Sequence, residues 1–333
     1  MHKKYTAAVL GCGKVGATFE MDSGLIKPAS HAAAVVANPR TELVALVDAD
    51  PAALKRAGDY YKVATYTDAR ACLEELKPDI VVIATPPAMH EEMFSLAVEL
   101  NIPTIICEKP VSDNLESAER MMARAKGTKS IIVVNHQRRF FPLFREARNA
   151  IRSGTLGRIQ QASAYYSNGL LNNGTHTIDT LQFLLDDIPA WAIGVENPLN
   201  TTAPFGTNID GILGFKKGTV VAVQSLDNSE YGAHDFVIYG TAGGIVIRQY
   251  GFHFELLEVK DGVTFAGMKE LDWEGAQKKT ERRSQLQGTV AHVVECLDGN
   301  TQSESTLLDG YRTMQALNAL VQSAAEEGKR III

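Results

Sequence analysis

The sequence has no Cys-x-x-Cys pair, and none of its four cysteines, Cys12, Cys72, Cys107 and Cys296, stands near histidines or other cysteines at metal-ligand spacing. That argues against a structural zinc module and offers no disulfide framework, so no metal is expected. The thiols read as small, buried, reduced side chains. No window approaches the ~18 apolar residues that a membrane span needs. Met1-His2-Lys3-Lys4-Tyr5 runs straight into a strand pattern, with no apolar signal stretch behind the lysines, so a cytoplasmic location is expected. Basic residues do not predominate either: the net charge is -6. Non-specific nucleic-acid binding needs clustered Lys and Arg. The densest basic stretch, Lys278-Lys279-Thr280-Glu281-Arg282-Arg283, is short and interrupted by Glu281, and reads as a solvated loop. Internal repeats and low-complexity segments are absent as well.

What is present is 333 residues with 45% hydrophobic side chains, too long for one compact core and suited to two. The first part alternates apolar, β-branched runs (5–10, 42–47, 79–84, 102–107, 130–134) with helical patterns (32–37, 51–60, 69–76, 89–100, 115–125). Such runs suit strands buried on both faces, and the alternation implies an α/β domain, a Rossmann-type doubly wound parallel sheet. Asp113 is the expected N-cap of the last helix, with Glu116 completing a capping box. After about residue 135 the pattern changes to a helix near 143–153, strands at 158–167, 191–196, 210–215, 219–226, 236–240, 245–250 and 253–259, and helices at 175–185 and 308–327. This predicts an α+β domain with an open, mainly antiparallel sheet backed by helices. The expected division is residues 1–134 and 135–333. An open sheet face calls for a cover, so a homodimer or homotetramer through this second sheet is expected.

Gly11-Cys12-Gly13-Lys14-Val15-Gly16 follows the first strand directly. Gly-x-Gly-x-x-Gly alone is weak, but here it stands in the context that dinucleotide binding demands. Gly11 would make the tight turn, Gly13 would admit the pyrophosphate, and Gly16 would allow close packing of helix on strand. Asp48 ends the second strand, where an acid bonds the ribose hydroxyls and repels a 2'-phosphate. Asp50 adds charge, so NAD is expected over NADP. The acid comes later than the usual ~20 residues after the glycines. The excess, residues 19–30, carries Gly24 and Pro28 and cannot be continuous helix. It is expected to loop out near the cofactor, with Ser30 capping the resumed helix.

Ala84-Thr85-Pro86-Pro87-Ala88-Met89-His90 and Cys107-Glu108-Lys109-Pro110 each follow a strand. With the glycine motif, they resemble the glucose-fructose oxidoreductase / inositol dehydrogenase / rhizopine-catabolism (Gfo/Idh/MocA) family, of which Glu-Lys-Pro is the most specific mark. Asn135-His136-Gln137-Arg138-Arg139-Phe140-Phe141-Pro142 resembles its interdomain segment, and Gly174-Thr175-His176-Thr177-Ile178-Asp179 its second-domain motif. The resemblance implies NAD held by residues 11–16, Asp48, Thr85, Pro86, His90, Glu108 and Lys109. It implies Lys109 and His176 at the reacting carbon, with substrate between the domains. An amine and an imidazole suit the proton transfer that accompanies hydride departure from an alcohol.

The family often carries Asp four residues before this His; here the residue is Asn172. An amide lacks the charge that would favour an ammonium on Lys109. The Asn-Asn-Gly-x-His variant is similar to members resembling UDP-N-acetylglucosamine 3-dehydrogenases of lipid A and surface-polysaccharide pathways. That implies oxidation of a UDP-N-acetylhexosamine at C3 to a 3-keto sugar. Arg138 and Arg139 could then meet a diphosphate, or form a salt-bridged hinge. Tyr165, Tyr166, Asp179 and the loop at 203–208 are further expected substrate contacts. The rival substrates are a free sugar, an inositol or a sugar acid. A rival of another class is a non-catalytic NAD-dependent sensor, against which Lys109 and His176 argue.

Overall fold

The computed structural model describes residues 3–199 and 207–333; of the loop at 203–208, residues 203–206 lie outside them. Packing divides the chain into Met1–Phe140 with Arg283–Tyr311, and Phe141–Arg282 with Arg312–Ile333. The boundary expected at residue 134 therefore needs correcting, because a later segment returns to the first unit.

The first unit runs β1 (Tyr5–Leu10), α1 (His31–Ala37), β2 (Thr41–Val47), α2 (Pro51–Tyr61), β3 (Ala64–Tyr66), α3 (Ala69–Leu76), β4 (Ile80–Ile83), α4 (His90–Glu99), β5 (Thr104–Cys107), α5 (Leu115–Ala125) and β6 (Ile131–Val134). The sheet order is β3-β2-β1-β4-β5-β6, with every pair parallel. Strand order reverses between β1 and β4, so the ligand crevice of a doubly wound sheet falls outside their carboxyl ends. β3 has three residues, none buried, and gave no apolar run to read. α5 is capped by Asn114, whose side chain accepts from the Ser117 N–H at 2.8 Å. The expected Asp113 cap lies one residue too early.

The insert is resolved by its hydrogen bonds. The backbone after the glycines makes one helical turn, Ala17 N–H to Gly13 O and Phe19 N–H to Lys14 O, both 2.9 Å. His31 and Ala32 then donate to the carbonyls of Val15 and Gly16 at 2.9 Å. In an unbroken helix residues 19 and 20 would fill those places. α1 thus continues the ladder of the first turn, and the intervening segment is extruded from it. Ser30 caps α1 through the Ala33 N–H, as expected.

The second unit holds α6 (Pro142–Arg152), β7 (Ile159–Ser167), α7 (Thr175–Leu185), β8 (Pro189–Glu196), β9 (Ile209–Phe215), β10 (Val220–Leu226), β11 (His234–Gly240), β12 (Gly243–Arg248), β13 (His253–Asp261), β14 (Lys269–Leu271) and β15 (Gln277–Thr280). Next come α8 (Leu286–Leu297), in the first unit, then α9 (Leu307–Ala325), within which the division falls, and β16 (Ile331–Ile332). The second sheet follows β14-β13-β12-β11-β7-β10-β9-β8-β16, with β15 also on β13. All its pairs are antiparallel except β7 with β10. β15 contains Lys278 and Lys279, so the expected solvated loop is in part an exposed edge strand, the lysines being its solvent-facing guard. α8 was not foreseen. Its Leu286, Val290, Val293 and Val294 pack into the core of the first unit with Tyr5, Ala7, Val35 and Phe140, a helical-period stripe that explains why 283–311 belongs there.

Among the described residues no helix is long and apolar enough to cross a membrane, and no group of three His, Cys, Asp or Glu could hold a metal. All four cysteines are free and buried.

Candidate active site

The glycine loop has the shape a dinucleotide needs. Gly11 has φ +101°, and a Cβ there would lie 2.5 Å from Ala84 O, so only glycine fits. A Cβ on Gly16 would strike Gly11 O, whereas one on Gly13 would meet nothing within 4 Å. That open space is what a pyrophosphate approaching the backbone would fill. Lys14 and Val15 are exposed beside it, while Cys12 is buried and offers only its backbone. Burial, then the nearby Asp48, pushes its thiol up to about 12. Half-buried Asp48 accepts from the Cys12 N–H at 2.6 Å and the Asp50 N–H at 2.8 Å. Asp50 itself is the N-cap of α2, so its carboxylate serves the helix. These residues fit NAD.

After β4, the Thr85 hydroxyl is buried without a partner among the described residues, and Pro86 is exposed. His90 departs from expectation. It is wholly buried, with Nε2 2.9 Å from Thr85 O and Nδ1 3.0 Å from Pro110 O. It ties the loop after β4 to the loop after β5 and has no surface to offer a cofactor. Glu108 turns inward too. Its Oε1 accepts from His31 Nε2 at 2.7 Å and from Asn135 Nδ2 at 2.5 Å, and its Oε2 from the Lys109 N–H at 3.1 Å. Thr289 donates to Asn135 Oδ1 at 2.8 Å, which fixes the amide's orientation. Burial pushes the Glu108 carboxyl upward, but the His31 bond and charge, Lys109 and Asn135 outweigh it, and the net shift is downward. Lys109 is half-buried. Burial lowers its amine, Glu108 opposes that, Arg138 assists it, and the result is about 8. An amine so placed at a strand's carboxyl end can exchange protons near neutral pH.

In the second unit, Gly169–Gly174 form a π turn leading into α7, a form frequent at functional sites. Half-buried Asn172 lies in this turn and buried His176 is the second residue of α7. The hydroxyls of Thr175 and Thr177, on either side of His176, donate to Leu171 O and Asn173 O, both 2.9 Å. These carbonyls belong to the neighbours of Asn172 on either side. His234 Nε2, fully buried in β11, lies 2.9 Å from the Thr177 hydroxyl. That hydroxyl's proton goes to Asn173 O, so His234 donates. Asp179 is one turn beyond His176 and buried.

One open alternative finds support, and one further expectation needs correcting. Arg139 is buried, donates to Glu304 O at 2.8 Å and pairs with Asp309 at 3.4 Å; it is the salt-bridged alternative. Arg138 is buried as well. Tyr166 has no exposed surface, and its hydroxyl bonds Ile209 O at 2.8 Å. Alternation along β7 sends Ala162, Ala164 and Tyr166 to the core and half-buried Tyr165 to the other face. The network of His31, Asn135 and Thr289 escaped the sequence reading, since nothing local marks three distant polar residues as one cluster.

Residues 6–136 match the family model described as the oxidoreductase family, NAD-binding Rossmann fold, and residues 166–331 match that of the oxidoreductase family, C-terminal alpha/beta domain. The chain is 23% identical to 1,5-anhydro-D-fructose reductase of Ensifer adhaerens, over 74% of this chain and 78% of that protein. Its fold matches levoglucosan dehydrogenase in complex with NADH and levoglucosan, with TM-score 0.80 and 20% identity over 99% of each chain. It also matches the WlbA dehydrogenase of Bordetella pertussis in complex with NADH and UDP-GlcNAcA, with TM-score 0.77 and 18% identity over 99% of each chain.

Proposed function

The chain belongs to the Gfo/Idh/MocA family of NAD-dependent oxidoreductases, and from that premise we propose that it oxidises a hydroxyl of a sugar or polyol, with Lys109 taking the hydroxyl proton. The observation that carries this reading is the Lys109 amine, lowered to about 8 by burial, against the pull of Glu108 and with the help of Arg138. About a tenth of such amines are neutral at pH 7 and ready to accept a proton. When bound, the nicotinamide supplies the hydride acceptor. His176 and Asn172 orient the substrate's hydroxyls, Asn172 as a neutral amide. Asp48 selects NAD against NADP through its fixed carboxylate.

A free sugar or polyol is the favoured substrate class. Arg139 holds Glu304 O and Asp309, which favours its salt-bridged role over contact with a diphosphate. The relatives that act on 1,5-anhydro-D-fructose and bind levoglucosan support this class. The second reading is oxidation of a UDP-N-acetylhexosamine at C3, favoured by Asn172 and by the likeness to the UDP-GlcNAcA complex. NADH formation across free sugars, inositols, sugar acids and UDP-sugars, with NMR of the product, decides. Turnover confined to UDP-N-acetylhexosamines installs the second reading. A complete lack of turnover overturns both and leaves a cofactor-dependent sensor.

The second sheet also supports self-association. Its register aligns Ile193, Ile212, Ala222, Ser163 and Val237 across five strands on the face away from the helices. Ile212 is 40% exposed there, and a second copy of this chain would cover that row.

A further inference from the structure

Glu108 sits at the carboxyl end of the sheet, yet its carboxylate is bonded by the protein itself. Three donors converge on its carboxylate from separate parts of the first unit. His31 comes from α1, just beyond the extruded segment; Asn135 follows β6; the third is the backbone of Lys109 itself. Thr289, from α8, holds the far end of the Asn135 amide. A buried carboxylate with three donors is kept as an anion. Burial alone would have favoured its protonated form, since an unpaired buried charge is costly. The charged and titratable groups around this cluster are His31, Glu108 and Lys109, with Arg138 acting on Lys109 and the buried Cys107 thiol next in sequence.

We propose that His31, Asn135 and Thr289 are positioning residues that hold the Glu108 carboxylate, ionised and in one orientation, beside the proton-carrying amine of Lys109. This rests on the reading of Lys109 as the proton acceptor. The cluster acts on Lys109 in two ways. Its carboxylate fixes the Lys109 backbone through the amide N–H, and its negative charge opposes the effect of burial on the amine. His31 is the member most exposed to change, because its place on α1 depends on where the extruded segment rejoins the helix.

The experiment compares wild type, Glu108→Gln, His31→Leu and His31→Gln in the full chain. Two quantities are measured: the pH dependence of acylation of Lys109 by acetic anhydride, read by mass spectrometry, and the acidic limb of kcat/KM. Glu108→Gln removes the charge and keeps the shape. His31→Leu removes the donor that does most to hold this carboxyl down, so its pKa rises toward protonation. Both should move the titration of Lys109 to lower pH, by about one unit or more, the scale of one opposite charge within a few ångströms. His31→Gln restores a donor and should return the titration toward wild type. If Lys109 titrates at the same pH in all four proteins, the proposal is overturned, whatever happens to kcat or yield. If the acylation titration moves and the kcat/KM limb does not, the positioning role stands and Lys109 is not the base. Should His31→Leu fail to fold, Glu108→Gln and His31→Gln still decide.

Discussion

Gly13 and Gly16 lie in the same loop, yet a side chain at each would meet different surroundings. At Gly13 a Cβ reaches open space, while at Gly16 it strikes Gly11 O. Gly13→Val should therefore fold with near-native stability and lose NAD binding, whereas Gly16→Val should fail to give stable protein. Calorimetry and NAD titration of both separate the ligand's space from the protein's own. Asp48→Ala should weaken NAD and narrow its lead over NADP; equal binding of the two cofactors by the wild type would refute the assignment. For Lys109→Met, loss of the acid–base group should lower kcat by about 10²–10⁴-fold. Stability should move the other way. The folded-state amine titrates at about 8 against an ordinary value of 10.5. Below 8 both states are protonated and the folded state bears an unfavourable buried charge. Between 8 and 10.5 the unfolded chain holds more protons, so wild-type stability rises with pH. Lys109→Met should be the more stable protein at pH 7, and its lead should shrink as pH rises through that window. A constant lead would show that burial does not act on this amine.

At the scale of elements, the π turn and α7 form one device. Thr177 bonds both Asn173 O and His234, so Thr177→Val would remove one bond from a buried carbonyl and one from a buried imidazole at nearly constant volume. A cost of about 0.5–1.5 kcal/mol per lost bond is expected. Turnover should fall with NAD affinity unchanged, because the glycine loop is untouched; unaltered kcat in a destabilised protein would limit Thr177 to a structural part. None of this was legible beforehand. The helix at 175–185 reads from its apolar spacing, but a π turn differs from an α turn by one hydrogen-bond step that residue types do not mark. The same holds for His31, Asn135 and Thr289. The strands of the first sheet other than β3 were legible because their runs are apolar, and the glycine loop because its spacing follows from backbone approach. His90 and Tyr166 were misplaced because the family motif and the strand position named them without saying which way each side chain faces.

On the scale of the whole molecule, the sequence marked two cores but not the return of residues 283–311 to the first, since an apolar helical stripe does not say which sheet it covers. The open face of the second sheet raises a different question. Along β7, β10 and β11 one side is buried, with Ala162, Ala164, Val221, Val223, Phe236 and Ile238 beneath the helices, while alternate residues are only half covered. The row from Ile193 to Val237 is apolar apart from Ser163, and water is a poor neighbour for it. A two-fold pairing of two such rows would be self-complementary, so any substitution enters the interface twice. Ile212→Arg then places two guanidinium groups in an apolar contact without partners. Each costs several kcal/mol to desolvate, so the dissociation constant should rise by at least ~100-fold, equivalent to about 3 kcal/mol. In the monomer Ile212 is an exposed side chain whose replacement leaves the core intact. NAD affinity and the thermal transition of the dissociated chain should therefore remain. Sedimentation over a range of concentrations checks this: a wild type that is monomeric throughout, or a variant that associates as wild type does, would remove this face from the assembly.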